Sequence, residues 1–420
     1  MTAPPTADAA TGTSADVVVA EALAEVSRYR RLEAKGPVRG KTISRGDMVE
    51  MLREQIRREI PERVVKAQNE LLFAWGLAPA VFDFEQALLT LMKSQLAGFY
   101  DPRIKTMFLL EDLGDQERVA TLAHELVHAL QDQHWDLEKH VKFEEGAGDR
   151  IAAIHALAEG DATSAMMDTL LGPRGVRAID VSESLFGMEA EGAMELAPEL
   201  VDVPRLVKRS VIAPYVDGLA FVHWLRRRGD WAEVDAAWAR LPVSTEQVLH
   251  PEKYLAGEVG ESVPEPSPPP GGPSTRVYRD VLGEQTLRLV FEEWMPSKTA
   301  HASAAGWGGD QVAVFSDRGS TAVAWRLRFD DEASARAAMV AFTRGILGSA
   351  APVDAASAAQ RAAGGKICAE RAGSGPFAAR RTQRDLVVVA GPFQRGSAGP
   401  TSAGSCADSL TWASLVLSKS

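Results

Sequence analysis

The stretch ATLAHELVHALQDQHWDL, residues 120–137, places His124-Glu125-Leu126-Val127-His128 inside a helical period that runs from about Asp115 to Trp135 without Gly or Pro. At roughly 100° per residue, Val119, Leu122, Leu126, Ala129 and Leu130 form one apolar stripe, and the two histidines project from nearly the opposite side. A pair with only a packing role would sit on or beside that stripe. Residues four apart on a helix lie about 40° apart, so His124 and His128 can bind one Zn²⁺ ion through their imidazoles. Glu125 stands beside them, where it can take a proton from a metal-bound water rather than ligate the metal.

A catalytic zinc needs a third protein ligand and an open position for water. His134 has the spacing of HExxHxxGxxH enzymes, in which a Gly turns the chain back towards the metal. Gln131 holds that position here, and an uninterrupted helix puts His134 about 120° around from His128. A place behind the ligands or on the surface suits His134 better. The next helix, about 148–171 (GDRIAAIHALAEGDATSAMMDTLL), offers His155, Glu159 and Asp161. His155 and Glu159 share one flank of its apolar stripe of Ile151, Ile154, Ala158 and Ala162. Asp161 is about 160° from Glu159, so the two carboxylates are not expected to face one ion. Ala158, Gly160 and Ala162 are small enough to let another helix approach closely.

Upstream, FYDPRIKTMFLL (99–110) reads as a β-hairpin around the turn signal Asp101-Pro102. Helices are expected at 16–35, at 45–76 with Ser44 as cap and a bend at Pro61, and at 83–97. Residues 172–202 show no strong period, and helices resume at about 204–228 and 230–240. His223 and Trp224 lie among apolar neighbours and are expected to pack. The phrase LPVSTEQVLHPEKYL (241–255) brings His250 and Tyr254, each able to donate a hydrogen bond to a reaction intermediate, or simply to belong to a capping loop.

VPEPSPPPGGPS (263–274) can neither pair in a sheet nor continue a helix, which marks a boundary. The expected organisation is a tether at 1–15, a first unit at 16–262, a linker at 263–275 and a second unit at 276–420. That second unit alternates helix-like (279–295, 331–346, 406–418) and strand-like (311–316, 321–329, 385–390) segments, with GWGGD (306–310) read as a tight turn before a strand. The chain as a whole is then a predominantly helical α+β protein.

Composition narrows the function. The 420 residues carry 46 Lys+Arg against 57 Asp+Glu, a net charge of -11, which opposes an electrostatic grip on nucleic acid. No run approaches the roughly 18 apolar residues of a membrane span. Only two cysteines occur, Cys368 and Cys406, allowing one disulfide or two buried thiols, and excluding a four-cysteine metal site. The opening MTAPPTADAATGTSA is small and nearly uncharged, as a flexible tether is, and fits an exported or envelope-attached chain whose signal has been removed.

HELVH followed by an ALAEGDA segment and preceded by the FYDPRIKTMFLL hairpin resembles the gluzincin group of zinc metallopeptidases, and the chain is also similar to uncharacterised bacterial HExxH proteins. That resemblance implies a zincin-like domain in the first unit. His124, His128 and Glu159 would ligate one zinc and Glu125 would be the general base. Asp161 would orient a ligand histidine, and 104–110 would be the strand along which a peptide or protein substrate lies. Glu159 follows His128 by more residues than the third ligand does in thermolysin-like enzymes. The same zinc could instead stabilise a non-catalytic binding or scaffold protein.

Overall fold

The computed structural model describes residues 13–95, 97–348, 354–397 and 399–419. It is a mixed α+β structure with a three-stranded sheet in the first part of the chain and a seven-stranded antiparallel sheet in the second. Residues 1–12 of the expected tether lie outside the described residues, while 13–15 already belong to the first helix, Thr13–Arg30.

Local signals account for the entry to the core. Ser44 caps Arg45–Glu59 by accepting from the Asp47 amide, and the chain leaves the helix at an extended Ile60 because Pro61 follows. A new helix, Glu62–Trp75, then ends at left-handed Gly76.

The hairpin forms as β2 (Gly98–Asp101) and β3 (Thr106–Leu110), and β1 (Arg39–Ile43), from a segment with no strand signal of its own, adds to it in parallel. The order is β1-β3-β2, so β3 is hydrogen-bonded along both edges. This corrects the expectation that 104–110 lines the substrate: its pairing groups are used, and the free edge beside the histidine helix belongs to β2.

The histidine helix spans Asp115–Trp135. Leu122, Leu126, Ala129 and Leu130 are buried as expected, whereas Val119 is 51% exposed, so the stripe starts one turn later. The next helix, Gly148–Leu171, crosses Arg205–Gly229 where each contributes a glycine. A Cβ on Gly160 would fall on the Gly218 carbonyl, and one on Gly218 would fall on the Ala156 carbonyl. Between them, Glu183–Leu196 forms in the segment without a clear period.

The larger sheet comprises β4 (Arg276–Asp280), β5 (Trp307–Asp317), β6 (Ser320–Phe329), β7 (Lys366–Ala369), β8 (Phe377–Thr382), β9 (Asp385–Gly396) and β10 (Gly399–Ser402). Its order is β4-β5-β6-β9-β8-β7, with β10 on β9. The turn expected at GWGGD is confined to Gly306, at φ 83°, and the strand begins sooner than expected: Trp307–Asp310 already open β5 through a bulge.

Both faces of the central strands are covered. Val323, Trp325 and Leu327 face the core shared with Glu62–Trp75 and Glu332–Gly348, while Ala322 and Ala324 face the C-terminal helix Cys406–Ser418. Trp75 stacks on Trp325 at 5.0 Å and Phe73 meets Phe393 edge-on at 5.1 Å, so one core continues across the Pro-rich stretch at 263–274, which carries no helix or strand. Cys368 and Cys406 are joined as a disulfide. No helix among the described residues is long and apolar enough to cross a membrane.

Gly160→Ala tests the crossing. Alanine in an open helix position gains up to about 1 kcal/mol, but here overpacking should cost about 1–3 kcal/mol. Chemical denaturation should show net destabilisation, and a stabilised variant would refute the close approach.

Candidate metal centre

Two helices bring the site together. On Asp115–Trp135, the four-residue spacing turns both imidazoles off the buried stripe towards Gly148–Leu171, and the glycine crossing holds Glu159 against them. His124 Nε2 lies 3.1 Å from Glu159 Oε2 and 3.2 Å from His128 Nε2, while His128 Nε2 is 3.5 Å from the same carboxylate oxygen. All three ligand atoms lie within 4.8 Å of one another, one atom per residue. Two imidazole nitrogens and a carboxylate oxygen converging from two neighbouring helices are a donor set suited to zinc.

The charges of this cluster favour a cation. Burial pushes the His128 imidazole towards neutrality, but the Glu159 carboxylate, with Glu125 and Gln131, overrides it and raises the pKa to about 10. Burial likewise penalises the Glu159 anion, and the imidazoles of His128, His124 and His155 hold its carboxyl well below the usual range. A proton on His128 therefore occupies the place that a divalent ion would take.

Each expected site residue can be located. Glu125 accepts from the Tyr100 amide of β2 at 3.0 Å, which ties its carboxylate to the free sheet edge next to the cluster. His155 Nε2 donates to the second Glu159 oxygen at 3.0 Å, one turn earlier on the same helix, as their shared flank implied. Asp161 faces away from the cluster and is fully buried against Arg30, Gln131 and Trp238. His134 does not stand behind the ligands. Its Nε2 bonds the Glu33 carbonyl at 2.7 Å, because the helix continues straight through Gln131.

Neither His250 nor Tyr254 joins the cluster. His250 Nε2 bonds Glu284 Oε1 at 2.8 Å, and the Tyr254 hydroxyl donates to the Arg240 carbonyl at 2.8 Å beneath Phe221. His223 is buried on Glu183, as a packing role requires. The residue that sequence reading missed is Tyr215 on Arg205–Gly229. Its ring stacks on His124 with centroids 5.8 Å apart, and its phenol lies close enough to Glu159 to feel that carboxylate. Burial and the charges of Glu159 and Glu125 push that phenol far above its ordinary pKa, so it remains a hydrogen-bond donor. It lies 87 positions after His128 in a helix with no motif, and the packing of that helix against Gly148–Leu171, closest at Gly160 and Gly218, brings it here.

A second convergence of carboxylates, Glu246, Glu258 and Asp330, already holds the Lys253 ammonium at 2.7, 2.8 and 2.8 Å.

Residues 274–397 match a domain family of unknown function, DUF8575, which covers β4 to β9 and none of the cluster. No curated protein and no solved structure matches the chain.

Zinc bound at this cluster would have to displace the His128 proton, so its apparent affinity should rise about tenfold per pH unit from pH 6 to pH 8.5, below the pKa of about 10. Competition with a chromophoric chelator at each pH measures this, and a flat profile would show that no proton is displaced.

Proposed function

We propose that the protein is a gluzincin-type zinc metallopeptidase that hydrolyses peptide bonds. The observation that carries this reading is the convergence of His124 Nε2, His128 Nε2 and Glu159 Oε2 with Glu125 held alongside by a sheet-edge amide. Zinc bound by the three residues would supply Lewis acidity and lower the pKa of a coordinated water to near 7.

The chain's own groups do the rest. Glu125 accepts the proton of the attacking water and passes it to the departing amine nitrogen. Tyr215, uncharged and beside His124, donates towards the oxygen that becomes negative when the carbonyl is attacked. That is the role for which His250 and Tyr254 were candidates. An extended peptide pairs with the free edge of β2 on either side of the Tyr100 amide, which is held by Glu125. The antiparallel edge strand beside the HExxH helix supports a zincin-like arrangement of this part, and the Cys368–Cys406 disulfide supports an oxidising compartment outside the cytosol.

Purified protein should contain about one zinc per chain. Glu125→Ala should keep that zinc and lose at least about 10²-fold in hydrolysis of an unfolded protein substrate. Tyr215→Phe should keep zinc and lose about 10²-fold in kcat with little change in KM. Glu159→Ala should lose the metal and His134→Ala should not. A Glu125→Ala variant with wild-type turnover refutes the mechanism, and zinc with no hydrolysis of any peptide library would leave a metal-stabilised scaffold.

A further inference from the structure

Arg30, the last residue of the first helix, is wholly buried. Its Nε donates to Asp161 Oδ1 at 2.5 Å, and its Nη2 donates to Asp161 Oδ2 at 3.2 Å and to Asp235 Oδ1 at 2.7 Å. Two tryptophans pack round it: the guanidinium lies 4.5 Å from the Trp231 ring and 5.9 Å from that of Trp135. Trp135 in turn stacks on Trp238, whose Nε1 donates to Asp161 Oδ2 at 2.9 Å. Such a buried ion pair is weak evidence for stability, since apolar residues of similar volume often serve as well. Its position suggests another job.

From Asp161 the bonds lead to the metal centre. Gln131 Nε2 donates to Asp161 Oδ2 at 3.2 Å and to the Ala158 carbonyl at 3.0 Å. Both acceptors demand the amide's NH₂ end, so the Gln131 oxygen must face the other way. There it lies 2.8 Å from His128 Nδ1. An oxygen at that distance requires Nδ1 to carry the hydrogen, which leaves the Nε2 lone pair for a metal. Were the amide to flip, its NH₂ would confront Nδ1 and favour a hydrogen on Nε2, where it blocks coordination.

We propose that Arg30 is a positioning residue of the metal centre: by holding Asp161, it fixes the Gln131 amide and so the tautomer in which His128 can bind zinc. This rests on reading His124, His128 and Glu159 as a zinc site. It also assigns the segment 13–43 to the working site. Arg30 supports His128 from behind, and β1 completes the sheet whose other edge meets Glu125. A removable segment that only covers the cleft would have neither contact.

The test uses the full chain and zinc alone as ligand. Arg30→Met keeps the aliphatic stem and removes the donors. Zinc affinity by chelator competition should fall about 10–100-fold, and Arg30→Lys, which keeps a charge on Asp161, should recover part of it. In zinc-loaded, ¹⁵N-histidine-labelled protein, the His128 Nδ1–H proton signal should be sharp in the wild type and lost or exchange-broadened in Arg30→Met. Gln131→Met breaks the same link from the other end and should lose both signal and affinity, which keeps the test open if Arg30→Met fails to fold. Folded variants that bind zinc within about twofold of wild type with the signal intact would overturn the positioning role. A wild type that takes up no zinc at any pH would instead overturn the metal reading, and this inference with it.

Discussion

A carboxylate buried between two imidazoles is tenable only if something compels it to be there, and in this protein the compulsion is the contact between Gly160 and Gly218. The helices Gly148–Leu171 and Arg205–Gly229 approach so closely that neither glycine has room for a Cβ. Glu159, next to that contact, cannot swing out to water, so its charge is met by His124, His128 and His155. The same approach delivers Tyr215 from the partner helix. Ligand, counter-charges and donor thus follow from one packing constraint.

The start of the Glu159 helix is fixed from the other half of the chain. Asp280, at the end of β4, accepts from the Gly148 amide at 2.8 Å and so caps the helix. Asp149 N donates to the Val281 carbonyl at 2.9 Å, and its carboxylate accepts from the Thr245 amide at 2.9 Å. Asp310, the last residue of GWGGD, receives the amides of Leu282 and Gly283 at 2.9 and 2.8 Å. Gly283, at φ 77°, has no space for a side chain beside Asp149. The sheet-bearing half therefore sets where the helix begins, and with it the height of Glu159 relative to the histidines.

What was legible in the sequence is what depends on local periodicity. His124, Glu125 and His128 declare themselves because the buried stripe of their own helix fixes which way they point, and the hairpin at 98–110 declares itself through its turn. Glu159 and Asp161 could be separated by angle alone, and they face opposite sides as that angle required. Tyr215, Gln131 and Arg30 were not legible, since each acquires its place from a residue distant in sequence. The helix Glu183–Leu196 was hidden for a different reason: Leu185, Met188 and Leu196 are all exposed, which blurs the apolar stripe that periodicity detects. The place of β3 between β1 and β2 turned on a strand, Arg39–Ile43, of mostly polar and glycine residues.

An amide rather than a carboxylate behind His128 follows from the charges already present. Glu159 and Glu125 together would balance a divalent ion, and they already raise the His128 pKa to about 10 against the effect of burial. A carboxylate against Nδ1 would add a third negative charge to a largely buried cluster, and would make the imidazole hold its competing proton still more tightly. Gln131 transmits direction without charge. The anion that orients it, Asp161, sits one residue further out and is matched by Arg30 and Trp238. Orientation is thereby separated from electrostatics: the arginine's charge is spent on Asp161, and only the geometry of a neutral amide reaches the histidine.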